Sequence, residues 1–316
     1  MKNNFKYSLD NKKYHTLNYH YKKTFNSKVY KVSLNANFTC PNKDGKISFG
    51  GCIYCSKLGS GEYAGDKNVD LITQFNNVKN LIDKKWPNSK YIGYLQANTN
   101  TYAPLDILKE KYETILKIPN VVGLSISTRP DCIEEQLLDY LEILNKRTYL
   151  TVELGLQTIH ESTSKLINRG HDLKCFIKTL NELRKRNINV VVHIINGLPY
   201  ETKEMMIDTI KFLSHSDIQG LKIHMLYILK NTEIHELYKK EKFHILTKEE
   251  YVDIVCDQLE LLPDNIVINR ITGDPKIEDL IEPRWLTRKF CVLNEIDKEL
   301  DKRGTYQGYC YKNNNS

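Results

Sequence analysis

Read for the spacing of its apolar residues, the chain alternates short, almost wholly apolar runs with longer stretches of helical period. VYKVSLNANF, residues 29–38, reads as a first strand; Leu71, Phe75, Val78, Leu81 and Ile82 then recur at helical spacing over residues 70–85, which end before Trp86-Pro87. The rhythm repeats with strands at 91–97, 120–127, 149–157, 188–197 and 220–229. Between them lie a helix opened by Pro104 and helices at 133–145, from about 162, at 173–186 and at 202–213. Strands this apolar cannot be half exposed, so they predict a parallel sheet covered by helices. Six such units are too few for a closed eight-stranded barrel, and the expected fold is α/β, a partial (β/α)6 barrel of the TIM type. A doubly wound sheet is the alternative, because periodicity does not reveal strand order. Residues 231–316 read as a mainly helical extension with one more strand at 265–270 and a polar end, KNNNS, expected to fray. The expected division is therefore 1–29, 30–230 and 231–316.

Charge adds a partner to this picture. Lys and Arg outnumber Asp and Glu by 46 to 39 and the pI is about 8.8, which suits an anionic ligand, although Lys, Asn, Ile and Tyr are frequent throughout. Residues 1–31 hold eight lysines against one acid, Asp10, interleaved with Tyr7, Tyr14, Tyr19, Tyr21 and Tyr30. Basic groups among flat aromatics suit phosphates and unstacked bases, which makes Lys12, Lys13, Lys22 and Lys23 candidate RNA contacts. The competing reading is a solvated leader whose tyrosines cover the barrel base. No apolar h-region opens the chain and no apolar run reaches the ~18 residues of a membrane span. The expectation is a cytoplasmic protein, not a membrane one, whose eight cysteines are reduced thiols.

Three of those cysteines carry the chemistry. In CPNKDGKISFGGCIYC, Cys52 and Cys55 stand two residues apart, and Gly45, Gly50 and Gly51 free the backbone to bring Cys40 round. Three thiolates on a [4Fe-4S] cluster leave one iron open to a small molecule. S-adenosylmethionine fits that vacancy, its amino and carboxylate groups chelating the iron before one-electron cleavage of the sulfonium. A structural zinc site completed by His15 or His20 remains the alternative. Tyr54 directly precedes the last cysteine.

The aromatic-Cys ending resembles the radical S-adenosylmethionine signature, with the usual short first gap replaced by eleven residues, as in the Elp3-like branch. Within that branch FTCPNKDGKISFGGCIYC, LQANTNTYAP, SISTRPDCI, VELGLQTIHESTSKLINRGH, HIINGLPYET, GLKIHMLYILKNTEI and INRITGDP are similar, in order, to the YhcC and YtqA family. The resemblance implies a cofactor lying across the top of the partial barrel. It places Gln96 and Asn98 where the family's second strand nears the methionyl amino group, without the usual Gly-Gly-Glu. Glu153 and Gln157 share a face of the fourth strand, with Gly155 between them leaving space, and suit the ribose hydroxyls or the ammonium. Ser125, Ser127, Arg169, His193 and Asn196 complete the cofactor candidates. Arg129, Asp131, His224, Arg270 and Asp274 are substrate candidates; Pro130 and Pro275 equally suit ordinary turns, and a lone histidine on an apolar strand equally suits the core.

The function so implied is hydrogen abstraction from a tRNA wobble-uridine side chain, converting carboxymethylaminomethyl to aminomethyl. An external electron donor of flavodoxin or ferredoxin type and a downstream methyltransferase are the implied partners besides tRNA. The remaining cysteines, Cys132, Cys175, Cys256, Cys291 and Cys310, are scattered singly, which argues against an auxiliary cluster and hence against methylthiolation. The expected length leaves no room for an acetyltransferase domain. Two rivals stand beside this reading: a non-catalytic zinc or iron–sulfur RNA-binding protein, and a radical enzyme acting on a small molecule.

Overall fold

A computed structural model describes residues 5–9, 11–59 and 61–314. Lys2, Asp10 and the last two residues of the polar end lie outside the described residues.

The elements follow the apolar pattern closely. In chain order they are α1 (Leu17–Phe25), β1 (Val29–Leu34), α2 (Leu71–Lys85), β2 (Lys90–Leu95), α3 (Leu105–Leu116), β3 (Val121–Thr128), α4 (Glu135–Asn145) and β4 (Tyr149–Gln157). There follow α5 (Glu161–Leu166), α6 (Leu173–Lys185), β5 (Asn189–Asn196), α7 (Lys203–Ser214), β6 (Gly220–Met225) and β7 (Ile228–Leu229). The chain closes with α8 (Glu233–Glu241), α9 (Lys248–Leu261), β8 (Val267–Arg270), β9 (Leu280–Glu282), α10 (Lys289–Arg303) and α11 (Tyr309–Asn314). Helix starts are set by side-chain caps. Asp70 accepts from the Thr73 amide, Asp172 from Cys175, and Thr247 forms a reciprocal capping box with Glu250.

Seven strands form one sheet in the order β1-β2-β3-β4-β5-β6-β8, and the pairs β1·β2, β2·β3, β3·β4 and β6·β8 run parallel. Order along the sheet equals order along the chain, with no reversal. Right-handed crossovers then keep every helix on one face, as in a barrel wall, whereas a doubly wound sheet reverses direction at a switch point. This decides for the partial-barrel class. The strand expected in the C-terminal extension, β8, joins this sheet beside β6 as its seventh member.

Three local expectations are corrected. The leader contains α1, whose sequence LNYHYKKTF buries only Tyr21 and so carries too faint an apolar stripe to be read. β1 stops at Leu34 rather than at Phe38, because Asn37 turns left-handed (φ 61°) and its amide bonds to the Asn35 side chain at 3.0 Å. The sixth strand breaks after Met225, and β7 pairs antiparallel with β9, a strand of three residues that the pattern did not reveal.

The chain resolves into two compact units, one of residues 21–155 with 169–191, the other of residues before 21, 156–168 and from 192 onward. In the first, Val32, Leu34, Ile92, Leu95, Leu124, Ile126, Leu150 and Val152 on the strands are buried with Phe75, Tyr112, Ile115, Leu141, Leu144 and Phe176 on the helices. Gly93 matters here: a Cβ on it would lie 2.3 Å from Ile115, so its absence lets α3 seat on the sheet. In the second, Leu221 and Ile223 of β6 are buried with Met206, Ile210, Tyr251, Val255, Leu259, Val292, Ile296 and Leu300. The start of the chain is tied into this second unit. Ile268 donates its amide to the His15 carbonyl at 2.7 Å, Gln307 accepts from the His15 amide at 2.8 Å, and Lys12 and Lys13 pair with Asp297 and Asp301 of α10.

Candidate active site

Within the first unit the cysteine loop leaves the C-terminal end of β1, the end at which barrel enzymes place their chemistry. Its path is set by hydrogen bonds and by three left-handed glycines. The Cys40 carbonyl accepts from Lys43 and Asp44, Gly51 donates to the Asn42 carbonyl at 2.8 Å, and Cys55 donates to the Cys52 carbonyl at 2.9 Å. Gly45, Gly50 and Gly51 stand at φ 94°, 84° and 92°, which bulkier residues resist. The fully buried Asn42 donates from its side chain to the Cys52 sulfur at 3.7 Å. Lys43 folds back on the loop, its ammonium meeting the Ser56 and Lys57 carbonyls and the Asn98 side chain.

The two close thiols are inequivalent. Cys52 is drawn down to about 6, first by a hydrogen bond from Cys55 and then by the Arg129 charge, with Tyr54 and Asn42 adding donors. Cys55 is pushed well up, because its proton serves Cys52 and because it is buried. Burial and the neighbouring thiolates likewise hold Tyr54 as a neutral phenol.

Among the described residues, no three His, Cys, Asp or Glu side chains converge on a point where one metal ion would sit. His15, one of the two histidines considered for a zinc site, is stacked on Tyr7 at 4.4 Å and bonded to the Asp264 carbonyl. A four-iron cluster takes its three thiolates on three separate irons. The donor set of Cys40, Cys52 and Cys55 fits that demand in chemistry and in loop placement.

Behind the loop, the inward faces of the strands carry a closed polar network. Glu153 on β4, 1% exposed, accepts from Lys31 of β1 at 2.6 Å, from Ser125 at 2.6 Å and from Ser127 at 3.4 Å. Ser127 also bonds Tyr94, over whose ring the Lys31 ammonium lies at 4.9 Å. Ser125, Ser127 and Glu153 are thus brought together, with Lys31 and Tyr94 as members the sequence reading missed. A lysine inside the apolar run VYKVSL was the available signal. Asn98 serves the loop instead of pointing away from it: its amide bonds the Gly59 carbonyl and its side chain the Phe38 carbonyl, both at 3.0 Å. Gln96, directly after β2, is half-buried and donates its amide to Leu34 at 3.3 Å.

Arg129, one residue past β3, is 9% exposed. Its Nε and Nη2 grip Asp131 at 2.9 and 2.8 Å, and Nη1 donates to the Arg169 carbonyl at 2.7 Å. Arg169, 1% exposed, donates to the His171 carbonyl. Arg129 and Asp131 therefore form one bidentate pair, with the guanidinium buried and Asp131 at the surface, and the far side of the guanidinium lies on the Arg169-Gly170 turn.

Except for Lys22 and Lys23, the remaining candidates belong to the second unit. Gln157 ends β4 in a left-handed conformation, φ 60°. His193 and His224 lie ring to ring at 5.7 Å. Asn196 is locked in a reciprocal amide pair with Gln258, both bonds 2.8 Å. Asp274 bridges Arg270 at 3.2 Å and Lys289 at 2.7 Å, at about one-third exposure. Of the leader lysines, Lys12 and Lys13 are ion-paired, while Lys22 and Lys23 on α1 are exposed.

The model of the Radical SAM superfamily matches residues 45–213, and that of the Radical_SAM C-terminal domain matches residues 218–302. Cys52 and Cys55 fall inside the first match and Cys40 just ahead of it. The protein YtqA of Bacillus subtilis is 52% identical over 309 residues, 98% of this chain and 96% of that one. The tRNA uridine(34) acetyltransferase of Methanocaldococcus infernus is 29% identical over 187 residues, 58% of this chain and 34% of that one. Among solved structures, the archaeal Methanocaldococcus infernus Elp3 lacking its N-terminus is similar in fold, with a TM-score of 0.66 at 20% identity. That match covers 89% of this chain and 64% of the other. No described helix is long and apolar enough to cross a membrane.

Proposed function

Because the chain belongs to the radical S-adenosylmethionine superfamily, and within it to the family of YtqA, we propose that it acts on the side chain of a tRNA wobble uridine, converting carboxymethylaminomethyl to aminomethyl. The observation that carries the radical half of this reading is the loop at the end of β1. There Cys52 and Cys55 stand in one tight turn, the Cys55 amide donating to the Cys52 carbonyl at 2.9 Å, and the buried Asn42 donates to the Cys52 sulfur at 3.7 Å. Cys40, Cys52 and Cys55 would hold a [4Fe-4S] cluster with S-adenosylmethionine at its open iron. Bound there, the pair supplies one-electron reductive cleavage of the sulfonium and thereby a carbon radical able to abstract hydrogen.

The chain's own residues then have separable tasks. Tyr54, half-buried directly before Cys55 and held as a neutral phenol, would shield the loop from water. Gln96, Ser125, Ser127 and Glu153 lie on the first unit's strands as polar groups for the cofactor, while Gln157, His193 and Asn196 are the second unit's candidates. Arg270, Asp274 and His224 are proposed for the substrate. The RNA half is supported by the exposed Lys22 and Lys23, by the basic balance of 46 to 39, and by similarity to the archaeal tRNA uridine(34) acetyltransferase. A flavodoxin- or ferredoxin-type donor would deliver the electron, a methyltransferase would take the product, and the setting is the cytoplasm.

Two measurements test this. Protein reconstituted anaerobically with iron and sulfide and reduced by dithionite should release 5′-deoxyadenosine from S-adenosylmethionine, and each Cys→Ala variant at 40, 52 or 55 should not. Nucleoside mass spectrometry of tRNA from a deletion strain should show the carboxymethylaminomethyl form accumulating. Iron binding without 5′-deoxyadenosine would return the protein to the non-catalytic class, and an unchanged nucleoside profile would remove tRNA as substrate.

A further inference from the structure

Strands β1 to β4 run parallel, so their starts share one rim of the first unit, the end away from the cysteine loop. The segments that arrive at β1 and β2 close in lysines. α1 ends with Lys22 and Lys23, α2 with Lys84 and Lys85 followed by Trp86, and Lys28 directly precedes β1. These ends are tied together: the Lys90 side chain donates to the Phe25 carbonyl and its amide to the Lys28 carbonyl, both at 3.1 Å. The Lys28 ammonium lies 3.3 Å from the centroid of the Trp86 ring and 5.2 Å from that of Tyr30. That contact holds the indole in place while Trp86 stays 43% exposed.

Ion pairing sets these approaches apart from the others. Ahead of β4 and β5, Arg147 pairs with Glu113 at 2.7 Å, Lys146 with Glu142 at 2.9 Å, and Arg186 with Glu182 at 3.0 Å and with Glu135. Ahead of β1 and β2, none of Lys22, Lys28, Lys84 and Lys85 meets a carboxylate in an ion pair among the described residues. The nearest acid in sequence, Asp83, is already held by Lys79 and by the Tyr91 hydroxyl. Cations favour helix C-termini, which accounts for lysines at the ends of α1 and α2. The same preference acts at the ends of α4 and α6, where acids accompany the cations, so the helix dipole does not account for unpaired charge here. Like charges gathered on one rim repel, and a polyanion relieves that repulsion.

We propose that this lysine-rich end of the sheet is an RNA-binding surface separate from the cysteine loop, its lysines taking backbone phosphates and Trp86 stacking one unpaired base. The inference deepens the tRNA reading and rests on it. An acidic protein or a lipid surface has no use for a ring set among the lysines, whereas an unstacked base does. The six residues of β1, each rising about 3.3 Å, put roughly 20 Å between this surface and the loop. A single nucleotide or another small molecule does not reach across that length. A folded RNA touches both ends, so the surface selects a polymer and separates holding it from reacting with it.

The test is fluorescence anisotropy of labelled, unfractionated tRNA titrated with the full chain at salt between about 0.05 and 0.2 M. Lys22→Gln/Lys28→Gln/Lys84→Gln/Lys85→Gln should weaken binding on the order of a hundred-fold and lower the slope of log affinity against log salt by about 3, one phosphate contact being lost per lysine. Trp86→Ala should weaken it about ten-fold, and Trp86→Tyr should restore most of that loss. Thermal melts check folding. If the quadruple variant melts early, Lys84→Gln/Lys85→Gln on the exposed end of α2 decides by half the slope change. Unchanged tRNA affinity in the lysine variants would overturn the proposal. So would an equal loss on poly-glutamate or on phosphatidylglycerol vesicles, or a Trp86→Tyr variant as weak as Trp86→Ala. These results are distinct from failure of the wobble-uridine reading. Lysine-dependent tRNA binding with an unchanged nucleoside profile in the deletion strain removes that reaction and leaves the surface, whereas a changed profile with binding indifferent to these lysines removes the surface alone.

Discussion

Replacing Lys31 by Met should cost far more than a surface lysine does, because it strands a carboxylate. The Glu153 side chain is wholly buried and the Lys31 side chain 15% exposed, with 2.6 Å between ammonium and carboxylate. Removing one partner of a buried pair typically costs ~3–5 kcal/mol. Ser125 and Ser127 remain as donors to Glu153, which places the expected loss near ~3 kcal/mol, or a melting temperature lower by roughly 6–12 °C. The loss should depend on pH. Lys31→Met removes the ammonium 2.6 Å from the buried carboxylate, which moves its folded value upward, above the unfolded one, so that the folded state binds the extra proton. The deficit is therefore full at alkaline pH and shrinks as pH falls through the raised value. Lys31→Met/Glu153→Leu should be more stable than Lys31→Met alone, since it removes the stranded charge. Urea unfolding of the four proteins of this cycle at pH 5 and pH 8 checks it. A double variant whose cost equals the sum of the singles, or a Lys31→Met cost under ~1 kcal/mol at pH 8, would refute the reasoning.

Gly170→Ala should destabilise by roughly 1–3 kcal/mol from left-handed backbone strain, and its Cβ, 2.6 Å from Asn42, should speed hydrogen exchange over residues 40–55. His15 is held down to about 4, chiefly by burial. The unfolded chain binds that proton near 6.5, so stability should be lost as pH falls from about 6.5 to about 4, by roughly 2–4 kcal/mol. His15→Phe should flatten this part of the profile in thermal melts. Arg303 is surrounded by Asp253, Asp257, Glu260 and Glu299. Arg303→Ala should cost roughly 1–2 kcal/mol in low salt and less at 1 M NaCl, where the freed acids repel one another less.

The apolar pattern located the β/α units because each strand's burial is local in cause. YLTVELGLQ is β4 from Tyr149 to Gln157 as read, since a run that apolar has few alternatives to an interior strand. The cysteine loop was equally legible, its two-residue gap and its glycines being properties of a single stretch. α1 and β9 were not, because neither carries enough apolar periodicity; β9 exists by virtue of its pairing with β7. Nor did strand spacing show that β8 continues the sheet beside β6.

The site divides along the same line. Which residues are candidates for the chemistry, Cys40, Cys52, Cys55 and the polar groups at the strand ends, was read from the sequence alone, because side-chain chemistry and short-range geometry are written in order along it. Which groups face one another was decided only by tertiary structure. Lys31 meets Glu153 across 122 positions, and Arg129 meets the Arg169 carbonyl across 40. Such partners are chosen by strand order and by close packing at glycines such as Gly170, and a contact between distant segments leaves no local trace in either of them.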